Sequence, residues 1–145
     1  MLNNFKIDLY KKLTGFLTKK GKKTKSEKIV NTAFLIISKK LNCSLPLLLS
    51  YVFLKLNTFV EAKKVRVRRS SHIVPFSLSL QRRSYLVTKW LSKAVLENTQ
   101  RISIIDKIVN EIISLLDNTD SKSFKLKQLN NNLASSNRSK MHFRW

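Results

Sequence analysis

Acidic side chains are scarce: 8 Asp and Glu stand against 29 Lys and Arg in 145 residues, a formal net charge of +21. Like charges at that density oppose a compact chain. Ordinary solvated surfaces mix both signs, so the excess calls for a polyanion that neutralises it. The few acids are also scattered. No paired carboxylates, Gly-rich phosphate loop or nucleophile–base signature occurs, and catalysis needs convergent groups of that kind. The chain is read as a non-enzyme without cofactors.

Cysteine occurs once, at Cys43. A disulfide framework and a cysteine-based zinc site are thereby excluded. His72 and His142 lie far apart without ligand partners at helical spacing, so no metal site is expected. Long apolar runs are missing too. The most apolar stretch, 45–56, is interrupted by Ser50 and Lys55 and is too short to span a bilayer; it reads as a buried helix. The N-terminus lacks the apolar core of a signal peptide and, with Asp8 and no Arg, does not look like a mitochondrial presequence. Glycine appears only twice while Lys, Asn, Ile, Leu and Phe are frequent. That bias suits an AT-rich coding genome of organellar or reduced type.

What is present is enough for one domain: 43% of the residues are hydrophobic. Apolar spacing of three and four predicts six helices at about 4–18, 25–41, 45–56, 80–97, 102–117 and 122–134. Phe5, Leu9, Leu13, Phe16 and Leu17 line the first. Thr24 and Glu27 read as a capping box for the second, and Ser44 as the cap of the third, with Pro46 in its first turn. Between the third and fourth helices the period falls to two. Val65 and Val67 alternate with Arg66 and Arg68, and Val74, Phe76, Leu78 and Leu80 with Pro75, Ser77 and Ser79. This predicts a β-hairpin over about 63–78 with its tip at 69–72 and a free edge at Pro75. The tail, 135–145, reads as polar with an aromatic–basic end. The expected fold is mainly α, one domain with one hairpin.

The charge is uneven. Residues 1–96 carry 21 basic and three acidic side chains, and 97–145 carry 8 basic and five acidic. Three clusters stand out. Lys19, Lys20, Lys22, Lys23 and Lys25 form a loop leading into a helix N-terminus, whose N–H groups favour phosphate. Lys63, Lys64, Arg66, Arg68 and Arg69 sit on the hairpin, where paired strands hold guanidinium groups at regular spacing on one face; Arg suits phosphate and base stacking better than Lys. Arg82 and Arg83 begin the fourth helix, where cations oppose the helix dipole. Both are expected to tolerate charge reversal without loss of the fold. Arg138, Lys140 and Arg144 in the tail complete the basic set. Trp90 is expected in the core, whereas His72, His142 and Trp145 could stack on RNA or dock on the protein.

The runs V-R-V-R-R-S-S-H-I-V-P-F and Q-R-R-S-Y-L-V-T-K-W-L resemble the hairpin and following helix of the small-subunit ribosomal protein seven family. K-K-G-K-K-T-K-S-E-K-I-V near the start and L-A-S-S-N-R-S-K-M-H-F-R-W at the end are similar to the same family, the latter most to its mitochondrial members. The matches run in order from Asn4 to Trp145. The resemblance implies six helices and a hairpin, and a structural role in binding small-subunit rRNA and organising the head. It also implies neighbouring small-subunit proteins and a place near the mRNA exit path and the E-site tRNA. Self-association is not expected. By position, Lys19, Lys20, Lys22, Lys23, Lys25, Arg82 and Arg83 would bind rRNA, and Arg66, Arg68 and Arg69 would approach RNA near the tRNA and mRNA path. The family commonly has two glycines where this chain has Arg68-Arg69, and a longer N-terminus. The expected location is a mitochondrial ribosome, organelle-encoded and without a presequence, with plastid or bacterial cytoplasm as alternatives. A DNA-binding helical regulator and a basic protein on anionic membranes compete with this reading. The first leaves the hairpin without a role. The second needs exposed apolar faces, which the pattern assigns to a common core.

Overall fold

The computed structural model describes residues 2–117 and 119–144, with side chains from Asp8 onward. Six α-helices and a hairpin follow in the expected order: α1 Leu2–Leu17, α2 Lys23–Leu41, α3 Leu45–Leu56, β1 Val60–Val67, β2 Ser70–Ser77, α4 Leu80–Leu96, α5 Ile104–Leu116 and α6 Lys122–Ser136. A 3₁₀ helix, Arg138–Phe143, follows within the segment read as the polar tail.

The first five helices enclose one core. Leu9 and Leu13 of α1 meet Phe34 and Ile37 of α2, Leu48, Val52 and Leu56 of α3, Leu91 and Val95 of α4, and Ile108 and Ile112 of α5. Each set recurs at three or four residues, which puts it on one helical face. A second, smaller cluster joins the hairpin to the bundle: Leu78, Leu86 and Trp90, flanked by Tyr85 and Leu126. Trp90 is thus a core residue, as expected. The Phe5 side chain lies outside the described set.

Two expectations about helix caps fail. The Thr24–Glu27 capping box does not form. The helix begins at Lys23 with Lys22 at the N-cap and no side-chain bond there, because Lys20 and Gly21 take left-handed backbone (φ 52° and 72°) and turn the chain directly into α2. Glu27 instead faces Lys23 at 3.8 Å. Ser44 is the N-cap of α3 and Pro46 sits in its first turn, but its hydroxyl makes no capping bond.

Helix α3 is only half buried. Leu48, Val52 and Leu56 point inward, while Leu45, Leu47, Tyr51 and Leu54 are exposed. The reason is geometric. Twelve residues that are apolar nearly all round offer more apolar surface than a bundle can cover from one side. The apolar faces are therefore not all committed to the core. Among the described residues no single helix is long and apolar enough to cross a membrane.

The hairpin tip also shifts. Val67 pairs with Ser70, so the turn is Arg68-Arg69 and not 69–72. Arg68 adopts a left-handed backbone, φ 53°. Glycine is the usual residue for that conformation, which is why a turn signal was absent from the sequence. Pro75 faces Ala62 across the ladder in a sheet of two strands, so its strand has the free edge expected, although Pro75 itself is buried. The edge of β1 is covered by α6. Asn130 accepts from the Ala62 N–H (3.0 Å) and donates to the Val60 carbonyl (2.8 Å), in place of a third strand. Thr58 donates to Asn131 at 3.0 Å beside it.

Candidate nucleic-acid interface

The left-handed pair Lys20-Gly21 makes the α1–α2 connection a tight turn, closed by the Lys22 N–H donating to the Lys19 carbonyl at 3.2 Å. Lys19, Lys20, Lys22, Lys23 and Lys25 all project into solvent from it. No acid occupies the first turn of α2, so its positive dipole end adds to the lysine field. Only Lys23 has an acidic neighbour, Glu27, among the described residues.

On the hairpin the register divides the cations. Side chains alternate across a strand. Lys64 and Arg66 therefore share one face with Ile73 and Ser71, while Lys63 lies on the other with Val65 and Val74. The five cations therefore do not all share one face. Lys63 approaches Glu61 at 3.6 Å and the Phe76 ring at 5.5 Å. Lys64, Arg66, Arg68 and Arg69 are exposed and take part in none of the ion pairs among the described residues.

The start of α4 has a different character. Arg82 donates through Nε and Nη2 to both oxygens of Glu61, at 2.9 and 2.7 Å. The fork ties the helix to β1 across 21 residues. Glu61 is nearly buried. Burial pushes its carboxyl up, but the Arg82 hydrogen bond and charge, with Lys63 behind them, hold it below its ordinary value. Arg82 is shifted up, chiefly by its bond to Glu61. Arg83 donates to the Leu78 carbonyl at 3.1 Å and covers the Phe59 ring at 4.3 Å. Both arginines brace the hairpin against the bundle, so reversal of their charge is expected to lower stability as well as RNA affinity.

A lowered carboxyl pKa stabilises the fold above the unfolded value and loses that contribution as pH falls through the folded one. Glu61→Ala should therefore lower stability by about 2 kcal/mol at neutral pH, because Arg82 then lacks its partner. Denaturant melts at pH 7 and at acid pH check this. The gap between mutant and parent should narrow as the pH falls through the lowered carboxyl range.

The tail is docked. Arg144 donates to the Pro75 carbonyl, and the Phe143 ring stacks on His72 with centroids 4.8 Å apart and planes at 2°. His72 Nε2 is 2.9 Å from the Ser70 hydroxyl, and His142 Nδ1 lies 2.9 Å from the Ser139 carbonyl. These histidines hold the tail and the hairpin. Lys140 donates to Asn137 at 2.9 Å, whereas Arg138 is exposed. Trp145 lies outside the described residues. No cluster of three or more His, Cys, Asp or Glu that could hold a metal occurs among the described residues.

The acids explain why so many cations remain unopposed. Asp8, Glu27 and Glu97 serve pairs within their own helices. Asp106 takes part in the Ser103 cap of α5, and Glu111 accepts from the Ser123 N–H and hydroxyl at the start of α6. Sequence reasoning missed Phe59, Asn57 and Lys127, which line a groove of about 670 Å³ between the hairpin base, α6 and the 3₁₀ helix. Single residues without periodic neighbours carried no signal for it.

A helical bundle that projects a basic β-ribbon, with most of its acids engaged within the chain, has the architecture of a structural polyanion-binding protein. The chain belongs to the ribosomal protein S7p/S5e family, whose model matches residues 2–138, a family of structural, non-enzymatic proteins. It is 29% identical over 138 residues to the small ribosomal subunit protein uS7 of Wigglesworthia glossinidia brevipalpis, covering 95% of this chain and 87% of that protein. Identity to uS7A of Aquifex aeolicus is 31%, covering 94% and 87%. Identity to uS7m of Reclinomonas americana is 26%, covering 86% and 77%.

Proposed function

We propose that this chain, a structural constituent of the small ribosomal subunit, binds small-subunit rRNA through a divided basic surface and organises the head. The observation that carries this reading is the exposed, largely unopposed charge of the α1–α2 turn and the hairpin on a scaffold most of whose acids are engaged within the chain. Phosphate contacts from Lys19, Lys20, Lys22, Lys23 and Lys25 fix one site. Lys64, Arg66, Arg68 and Arg69 fix a second on the ribbon, and Arg138 extends it along the tail. Arg82, Arg83, Lys63, Lys140 and Arg144 support this surface by holding its parts in register. Two separated cationic elements on a rigid bundle suit folded RNA better than a linear duplex.

The ribbon tip is the part we place near the mRNA exit path and the E-site tRNA, with Arg68 and Arg69 reaching RNA by side chain where glycines would bring backbone. The exposed apolar side of α3, Leu45, Leu47, Tyr51 and Leu54, suits a neighbouring small-subunit protein. The compartment we favour is the mitochondrion, supported by the AT-type composition and the similarity to a uS7m protein.

Counterion release gives the test. Affinity for a small-subunit head rRNA fragment should fall linearly with log salt, with a slope of about −4 or steeper if six or more phosphates are met. Affinity that ignores salt would defeat the mechanism, and equal affinity for duplex DNA would favour the regulator reading.

A further inference from the structure

We propose that the groove at the hairpin base is a nucleotide subsite, where one unpaired RNA base stacks on Phe59 while Arg138 and Lys127 meet its phosphates. The proposal rests on the RNA-binding reading above and adds a recognition element to it.

The groove, about 670 Å³, has a volume typical of small-ligand sites. Its lining includes three cations, Lys127, Arg138 and Arg144, and no acid. Phe59 is 63% exposed at its mouth. Arg83 lies over the Phe59 ring at 4.3 Å, and Phe59 but not Arg83 lines the groove. A cation on one side of an aromatic ring and a base on the other form a continuous stack.

The polar groups agree with that occupant. The Asn57 Oδ1 is buried without a donor among the described residues, although the residue as a whole is only partly buried. A buried acceptor left unmatched is unfavourable. Rotation of the amide brings it to a base amino group or a ribose 2′-hydroxyl, both of which donate. Lys127 gives one N–H to the Lys55 carbonyl at 2.6 Å, leaving its other ammonium protons for a phosphate oxygen. Burial, with Lys55 nearby, lowers the pKa of Lys127, so an anion in the groove would favour its charged form. Arg138 is exposed and stands in no ion pair among the described residues. A paired duplex keeps its base faces stacked, whereas loops and bulges offer theirs.

The test compares the full chain with Phe59→Ala and Phe59→Trp on a labelled single-stranded RNA of about 12 nucleotides and on a paired RNA duplex of the same length. Phe59→Ala should weaken single-strand binding roughly tenfold, in line with loss of one stacked base, and change duplex binding less than twofold. Phe59→Trp should retain single-strand affinity. Arg138→Gln should lower the salt slope on the single strand by about 0.7, one phosphate contact. An unchanged single-strand affinity in Phe59→Ala would overturn the subsite, and so would an equal loss on both RNAs. Failure of the unaltered chain to bind either RNA would instead overturn the reading beneath it.

Discussion

Trp90→Ala should lower stability by about 3–5 kcal/mol, the usual cost of removing a buried aromatic. Trp90 is 8% exposed and anchors the cluster of Leu78 and Leu86, against which Tyr85 and Leu126 pack. These residues come from the strand-to-helix junction, α4 and α6, so the indole is the wedge that seats the hairpin on the bundle. The neighbours cannot collapse into the space, because Leu78 is tied to the ladder through its N–H to the Phe59 carbonyl at 3.0 Å. A domain of this size holds only about 5–15 kcal/mol in total, so the loss is a large fraction. Thermal melts should show a fall of roughly 10–20 °C. The main core of α1–α5 does not include Trp90. Helical CD should therefore survive at low temperature while hydrogen exchange in the hairpin amides rises.

Neutralising Lys19, Lys20, Lys22 and Lys25 to Gln should leave stability unchanged or slightly raised, and reduce rRNA affinity by about two to three orders of magnitude near 0.1 M salt. The four side chains are exposed and lie on a turn whose shape is set by the backbone of Lys20 and Gly21. Removing charge that repels itself does not harm the fold. Each lost phosphate contact should also reduce the salt slope by about 0.7–0.9. Thus four substitutions reduce it by about 3 units, a signature that a structural lesion would not produce. Lys20 at φ 52° tolerates Gln less well than Asn or Gly, so Lys20→Asn is the control for backbone strain.

The order of elements was legible because periodicity reports which face is buried. The switch from spacing of three and four to spacing of two at Val65 marked the hairpin, and its return at Leu86 marked α4. The basic turn was legible for a simpler reason: five lysines around one glycine have no other use in a core. What escaped was everything that depends on contacts between distant residues. Glu61 and Arg82 are 21 positions apart, and Arg144 and Pro75 are 69 apart, so neither pairing has a local pattern. The tail looked like a polar extension because its anchors, Phe143 on His72 and Arg144 on Pro75, lie on another element. The hairpin tip was displaced because Arg68 holds a conformation usually signalled by glycine. Helix α3 misled in the opposite way, since apolar residues on every side do not say how many sides are covered.

Sorting of the cations is the main refinement over the composition. Net charge alone treats Arg82 and Arg66 alike. The structure separates those that bind within the chain, such as Arg82, Arg83 and Arg144, from those that face solvent in groups. The latter lie on two elements, the α1–α2 turn and the ribbon, both braced by the bundle.

The most direct test is sedimentation of an extract from cells that make the protein, with the chain followed by mass spectrometry across the gradient. The account predicts that it travels with the small ribosomal subunit and moves to the top of the gradient when the RNA is digested with ribonuclease. A chain found free at the top while the small subunits remain intact would contradict it.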